Sequence, residues 1–142
     1  MVVCPRCKFR PTLGRMAMQL DHLILPVVDR DQSVEFFTRI LGCTYDGDRE
    51  PFSVIRVTPE LTLQLAPWGT EGGMHLAFAL PRPEFEAVFE RVKAAGIPYG
   101  DSFHAVGNMQ GPGDEDGSRG AGKALYFFDP NQHLIEIRHY DG

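Results

Sequence analysis

The sequence predicts an α+β protein made of two tandem copies of one module, a strand and a helix followed by three more strands. Three observations predict it. The chain has 142 residues, the length of a single compact domain. It also repeats itself. Moving it by 53 positions lays His22-Leu23-Ile24-Leu25-Pro26-Val27 over His75-Leu76-Ala77-Phe78-Ala79-Leu80 and Phe36 over Phe89, and Leu63-Gln64-Leu65 has its counterpart in Ile135-Glu136-Ile137. Finally, each copy passes from a strand-like run to helical spacing and back again.

Taken in order, Leu20–Val28 is a β-branched, Leu-rich strand closed by Pro26 and the Asp29–Asp31 turn. Ser33 is placed to cap a helix in which Val34, Phe37, Ile40 and Leu41 share one face, and Gly42 stops it. Short strands follow at Thr44–Asp46, Phe52–Thr58 and Leu61–Ala66, separated by Glu50-Pro51 and Pro59-Glu60. Pro67–Gly73 is a linker, with Trp68 expected to plug the space between modules. The second copy runs through a strand at Met74–Leu80, a helix at Glu84–Ala95 with Phe85, Val88, Phe89 and Val92 inward, and strands at Ala124–Phe128 and His133–Tyr140. Asp129-Pro130-Asn131-Gln132 has the composition of a tight hairpin turn. The organisation expected is a flexible leader at 1–18 and one domain at 19–142, divided into module one (19–66), the linker (67–73) and module two (74–142).

Several function classes are excluded. The 14 basic residues are outnumbered by 19 acidic ones for a net charge of −5, and no basic stripe offers a track for a nucleic-acid backbone. No apolar run approaches the ~20 residues of a membrane helix. Three cysteines, Cys4, Cys7 and Cys43, make no disulfide framework and fit a reducing cytoplasm. Cys4-Pro5-Arg6-Cys7 has the spacing of half a zinc-ribbon site, but a second pair is missing; a plain leader is the competing reading.

Strand parity assigns faces. Leu23, Leu25, Leu63, Leu65, Leu76, Phe78, Ile135 and Ile137 point towards the helices. The opposite, front faces then carry one polar residue near the middle of each of four strands: His22, Gln64, His75 and Glu136. Two imidazoles, a carboxylate and an amide oxygen form a reasonable first shell for Zn, Mn, Fe, Co or Ni. Strand histidines satisfied by hydrogen bonds are the alternative. Four matched positions on one face favour the metal.

These motifs resemble a known group. Leu20–Val27, Ser33–Gly42, His75–Phe78 and above all Leu125-Tyr126-Phe127-Phe128-Asp129-Pro130-Asn131-Gln132-His133-Leu134-Ile135-Glu136-Ile137 are similar to the vicinal oxygen chelate superfamily. That group includes glyoxalase I, bleomycin-resistance proteins, fosfomycin-resistance enzymes and extradiol dioxygenases. The resemblance covers about residues 19–140 and implies βαβββ modules whose curved mixed sheets surround a cleft. It implies metal ligands at His22, His75 and Glu136, with Gln64 at a fourth position that is often Glu in glyoxalase I. An amide cannot accept a proton as a carboxylate does, so Glu136 would serve as both ligand and base.

The implied function is a metal-dependent small-molecule enzyme in which a divalent ion chelates vicinal oxygens, with dioxygenase-like, fosfomycin-type thiol-transfer or lactoylglutathione-lyase-like chemistry. A metal-free drug- or metabolite-binding protein of the bleomycin-resistance type is the alternative. Other candidates surround the cleft. Tyr126 can donate to a metal-bound oxyanion or pack in the core. His104, in the glycine-rich loop 101–122, is an acid or base, or simply solvated; the loop itself is expected to act as a lid. Arg56 and Arg138 can grip a substrate carboxylate or phosphate, or pair with nearby carboxylates. Tyr140 on the front face and Ser118 in the loop complete the substrate-binding set, while His133 and His139 are structural by parity. Unpaired edge strands predict a homodimer.

Overall fold

A computed structural model describes residues 18–141. The expected leader and its Cys4/Cys7 pair lie outside these residues. Strands β1 (His22–Pro26), β2 (Thr44–Arg49), β3 (Phe52–Arg56) and β4 (Thr62–Ala66) form a first sheet in the order β1-β4-β3-β2. Strands β5 (His75–Ala79), β6 (Tyr99–Gly100), β8 (Gly122–Phe128) and β9 (Leu134–Tyr140) form a second in the order β5-β9-β8-β6, and β7 (Gly113–Asp114) pairs with β8. In each sheet the opening strand lies parallel to the closing one, β1 beside β4 and β5 beside β9, and the other pairs are antiparallel. The repeat read in the sequence is thus a repeat of topology.

Helix α1 (Arg30–Glu35) runs on into a wide π turn at Phe36–Ile40. Its cap is Asp29, whose carboxylate accepts from the Gln32 amide at 3.1 Å, and not Ser33. Asp29 stands three residues before that free amide, whereas Ser33 is already inside the helix and fully buried. The wide turn allows the consecutive Phe36 and Phe37 both to be buried, edge to face at 5.4 Å. Helix α2 spans Arg82–Ala94, two residues earlier than the spacing suggests, because Pro83 is tolerated in a first turn. Strand β2 outlasts its expected end because a bulge between Tyr45 and Asp48, with Gly47 at φ +89°, bends the strand without ending it.

One core serves both copies. Leu25, Val27, Phe37, Leu63 and Leu65 from the first pack with Phe85, Val88, Phe127, Ile135 and Ile137 from the second. Since the helix-side faces of both sheets meet in this core, each front points away from it. The hairpin Asp129–His133 fastens the two copies. Asp129 folds it by accepting from the Asn131 and His133 amides, each at 2.8 Å. Asn131 then crosses to accept from the Val28 amide at 2.8 Å and to donate to Ser33 at 3.0 Å. The His133 ring bridges the Pro26 carbonyl (2.8 Å) and the Met74 amide (3.2 Å). Trp68 is not the expected plug: it is 61% exposed and packs edge-on against Phe52 at 5.8 Å. A short loop leaving a strand end carries it past the core.

Candidate functional site

The front of the second sheet is laid out by strand register. Glu136 on β9 lies between Ala77 on β5 and Tyr126 on β8, and Arg138 lies between Ala79 and Ala124. The alanines leave room above two long polar side chains. His75 Nε2 stands 3.1 Å from Glu136 Oε1. Arg138 Nη1 donates to the other carboxylate oxygen, Oε2, at 2.9 Å, and Nη2 donates to the Glu115 carbonyl at 2.6 Å. Glu136 and Arg138 are both buried. A charge pair so placed persists only when each partner's other bonds are met, yet Arg138 Nε is buried with no hydrogen-bond partner.

The glycine-rich loop is ordered and lies across this front. Phe103 reaches the Tyr126 ring at 6.4 Å, and residues 115–120 sit over Arg138 and Tyr140. Gly117 is required there, because a Cβ would run into the Arg138 guanidinium and the Tyr140 hydroxyl. Ser118 Oγ lies 3.4 Å from the Tyr140 hydroxyl, and the Arg119 and Arg138 guanidinia lie 4.3 and 4.6 Å from the Tyr140 ring. Between loop and sheet is a cavity of about 370 Å³, walled by Ala77, Ala79, Glu136 and Arg138 below and residues 116–119 above.

Two phenols of this front are shifted from their ordinary value. Burial, reinforced by the Glu136 and Glu115 carboxylates, pushes Tyr126 up to about 12, so it is a neutral hydrogen-bond donor at physiological pH. Tyr140 is held below its ordinary value by Ser118 and then by Arg119 and Arg138.

The first sheet is different. His22 is exposed, with Nδ1 2.7 Å from Asp21. Gln64 is half-buried beside Ile24 and Val54. Arg56 is occupied by Asp46 at 3.0 Å and by the Thr58 and Pro59 carbonyls. The structure therefore brings His75, Glu136, Tyr126, Arg138, Tyr140 and Ser118 to one front, and it leaves His22, Gln64 and Arg56 on the other. Among the described residues, no three His, Cys, Asp or Glu side chains gather closely enough to hold a metal. His104 is exposed in the loop, stacked on Phe103 at 3.7 Å. Both β1 and β5 are free sheet edges, and an apolar groove of about 450 Å³ runs between them with His75 on its rim. Sequence reasoning missed the Glu115 carbonyl and the glycine contact at 117; both act through backbone, which carries no residue-type signal.

Comparison with known proteins gives a consistent setting. The family described as the Glyoxalase/Bleomycin resistance protein/Dioxygenase superfamily matches residues 19–137. Virulence protein STM3117 of Salmonella typhimurium (strain LT2) is 25% identical over 94% of this chain and 92% of its own. Glutathione transferase FosA of Serratia marcescens is 23% identical over 86% and 81%. Among solved structures, Oxidase ChaP-H2 superposes with a TM-score of 0.75 at 26% identity, over 89% of this chain and 96% of that one.

Proposed function

The chain belongs to the Glyoxalase/Bleomycin resistance protein/Dioxygenase superfamily, and on that premise we propose that it is a metal-dependent enzyme for a small molecule with two adjacent oxygen atoms, its site assembled from two copies of the chain. One observation carries the reading, the 3.1 Å between His75 Nε2 and Glu136 Oε1. Donors bound to one ion at about 2.1 Å, at angles from square to tetrahedral, lie roughly 3.0–3.4 Å apart.

The other residues fit. Arg138 occupies Glu136 Oε2, which leaves Oε1 as the donor. Asp21 takes His22 Nδ1, an outer partner of the kind that fixes a ligating imidazole and leaves Nε2 to bind. The positions of the donors support the second copy. His75 and Glu136 are on one front, His22 and Gln64 on the other, and both fronts point outward beside free edges and an apolar groove. A two-fold pair in which the first sheet of each copy faces the second sheet of its partner completes two sets at once.

A divalent ion held there supplies Lewis-acid polarisation of the two substrate oxygens. The chain's own groups do the rest. Tyr126 donates a hydrogen bond to developing negative charge, and the loop covers one side of the cavity. Glu136 is the one carboxylate of the four-residue set and the one that can move a proton, because Gln64 cannot. That favours group transfer or oxidation over isomerisation, in keeping with relatives named a glutathione transferase and an oxidase. Elemental analysis of the purified protein beside His75→Ala tests the reading. The expected result is close to one transition metal per chain, lost in the variant. Absence of metal even after adding Mn, Fe, Ni or Zn would replace the enzyme with a metal-free binding protein.

A further inference from the structure

We infer that the substrate carries an oxyanion with two available oxygens, a carboxylate or a phosphoryl group, received by the Nε–Nη2 edge of Arg138 when the strap at residues 115–120 lifts. This rests on reading the cavity beneath the strap as the substrate site.

The edge is incomplete in a particular way. A guanidinium offers a two-oxygen anion two parallel N–H bonds from Nε and the adjacent Nη. In Arg138 that edge is half-used: Nη2 donates to the Glu115 carbonyl, while Nε is buried without a partner. The remaining nitrogen, Nη1, is committed to Glu136, so the guanidinium is already oriented from behind. A buried donor left without an acceptor is costly. The strap that covers it supplies one neutral carbonyl where an anion would satisfy both positions.

The strap is built to be displaced. Its contacts with the sheet are few and polar: the Glu115 carbonyl and amide, the Gly117 backbone approach, the long Ser118–Tyr140 contact and the Arg119 guanidinium on the Tyr140 ring, with no apolar side chain among residues 115–120 to anchor it. Closed, it places both Asp116 and Arg119 at the cavity edge, opposite charges that offset each other. Lifting it uncovers the edge, so anion binding and strap opening are one event.

The test follows the Arg138 Nε–H signal by NMR in metal-free protein titrated with inorganic phosphate and, separately, acetate. The two probes distinguish a phosphoryl from a carboxylate preference. Saturable movement of that signal is expected with at least one probe, and Arg138→Lys, which keeps the charge but loses the edge, should lose the binding. Gly117→Ala adds a methyl where the strap touches Arg138 and Tyr140, so it should prise the strap off and tighten anion binding about fivefold, the worth of one competing hydrogen bond. No saturable movement with either probe, in wild type and Gly117→Ala alike, overturns the inference, as does equal binding by Arg138→Lys. Metal uptake measured separately on the protein as purified keeps the two readings apart, because metal uptake without anion binding sinks only this one.

Discussion

The two sheets have the same topology and opposite fronts. The second sheet carries a chain of contacts, His75–Glu136–Arg138–Glu115, in which the central Glu136–Arg138 pair is buried and its own loop lies across it. The first carries an imidazole as exposed as that of His75, a half-buried amide and an arginine turned aside to Asp46. The difference arises in one connection. Between its second and third strands the first copy has only Glu50-Pro51, whereas the second has residues 101–121 between β6 and β8, which include the whole covering loop. Repetition has duplicated a scaffold, and an insertion has made one half a prepared pocket and left the other a bare donor surface. On the proposed reading, neither half is a complete site.

The largest expected break in this comparison is Glu136→Ala. It strands the buried Arg138 charge, and should cost about 3–5 kcal/mol in denaturant unfolding, whereas Gln64→Ala at the equivalent place in the first sheet should cost less than about 1 kcal/mol. Equal costs would mean the fronts are not built differently. Next comes the joint between the halves. His133→Ala leaves the Pro26 carbonyl and Met74 amide without their bridge and should cost about 1–3 kcal/mol, with metal content unchanged because no front-face donor is touched. Loss of metal with full stability would instead place His133 in the site.

A third prediction concerns the groove between the free edges. Burial pushes the Cys43 thiol up to about 11, so its neutral form is favoured in the fold. The stability that depends on this is complete below the ordinary thiol value and lost as pH rises through about 11. In a Cys4→Ser/Cys7→Ser background, alkylation of Cys43 at pH 8 should be about 100-fold slower in the folded than in the unfolded chain, as a two-unit shift requires. Comparable rates would show the groove to be open to solvent. The smallest effect is expected from Gln64→Glu, which gives the first sheet the carboxylate its partner strand already has. Metal should bind more tightly, by no more than about tenfold, as measured by competition with a chelator. Unchanged affinity would remove Gln64 from the donor set.

Much of the fold was legible because side-chain periodicity and the repeat report on burial directly. Parity put His22, Gln64, His75 and Glu136 on the fronts, and that is where they lie. Parity assigns a face within a sheet, however, and says nothing about where two sheets point relative to each other. The four residues thus read as one cluster although the shared core turns the fronts apart. The Asp129–His133 segment, part of the strongest family signal, proves to be a clasp between the copies; most of its side-chain bonds go to backbone, and such targets leave no trace in residue type. Ser33 was misread for a related reason. Its hydroxyl serves Asn131, 98 positions away, and local spacing cannot reveal so distant a partner.

The central claim is that each site draws on two copies, and mixing two inactive variants tests it most directly. His22→Ala and His75→Ala should each hold no metal alone. After refolding together, random pairing makes half of the dimers mixed, each with one intact set, so about a quarter of the wild-type metal per chain should return. Full metal retention by His22→Ala alone, or no recovery in a mixture whose dimers are shown to have exchanged, would contradict the account.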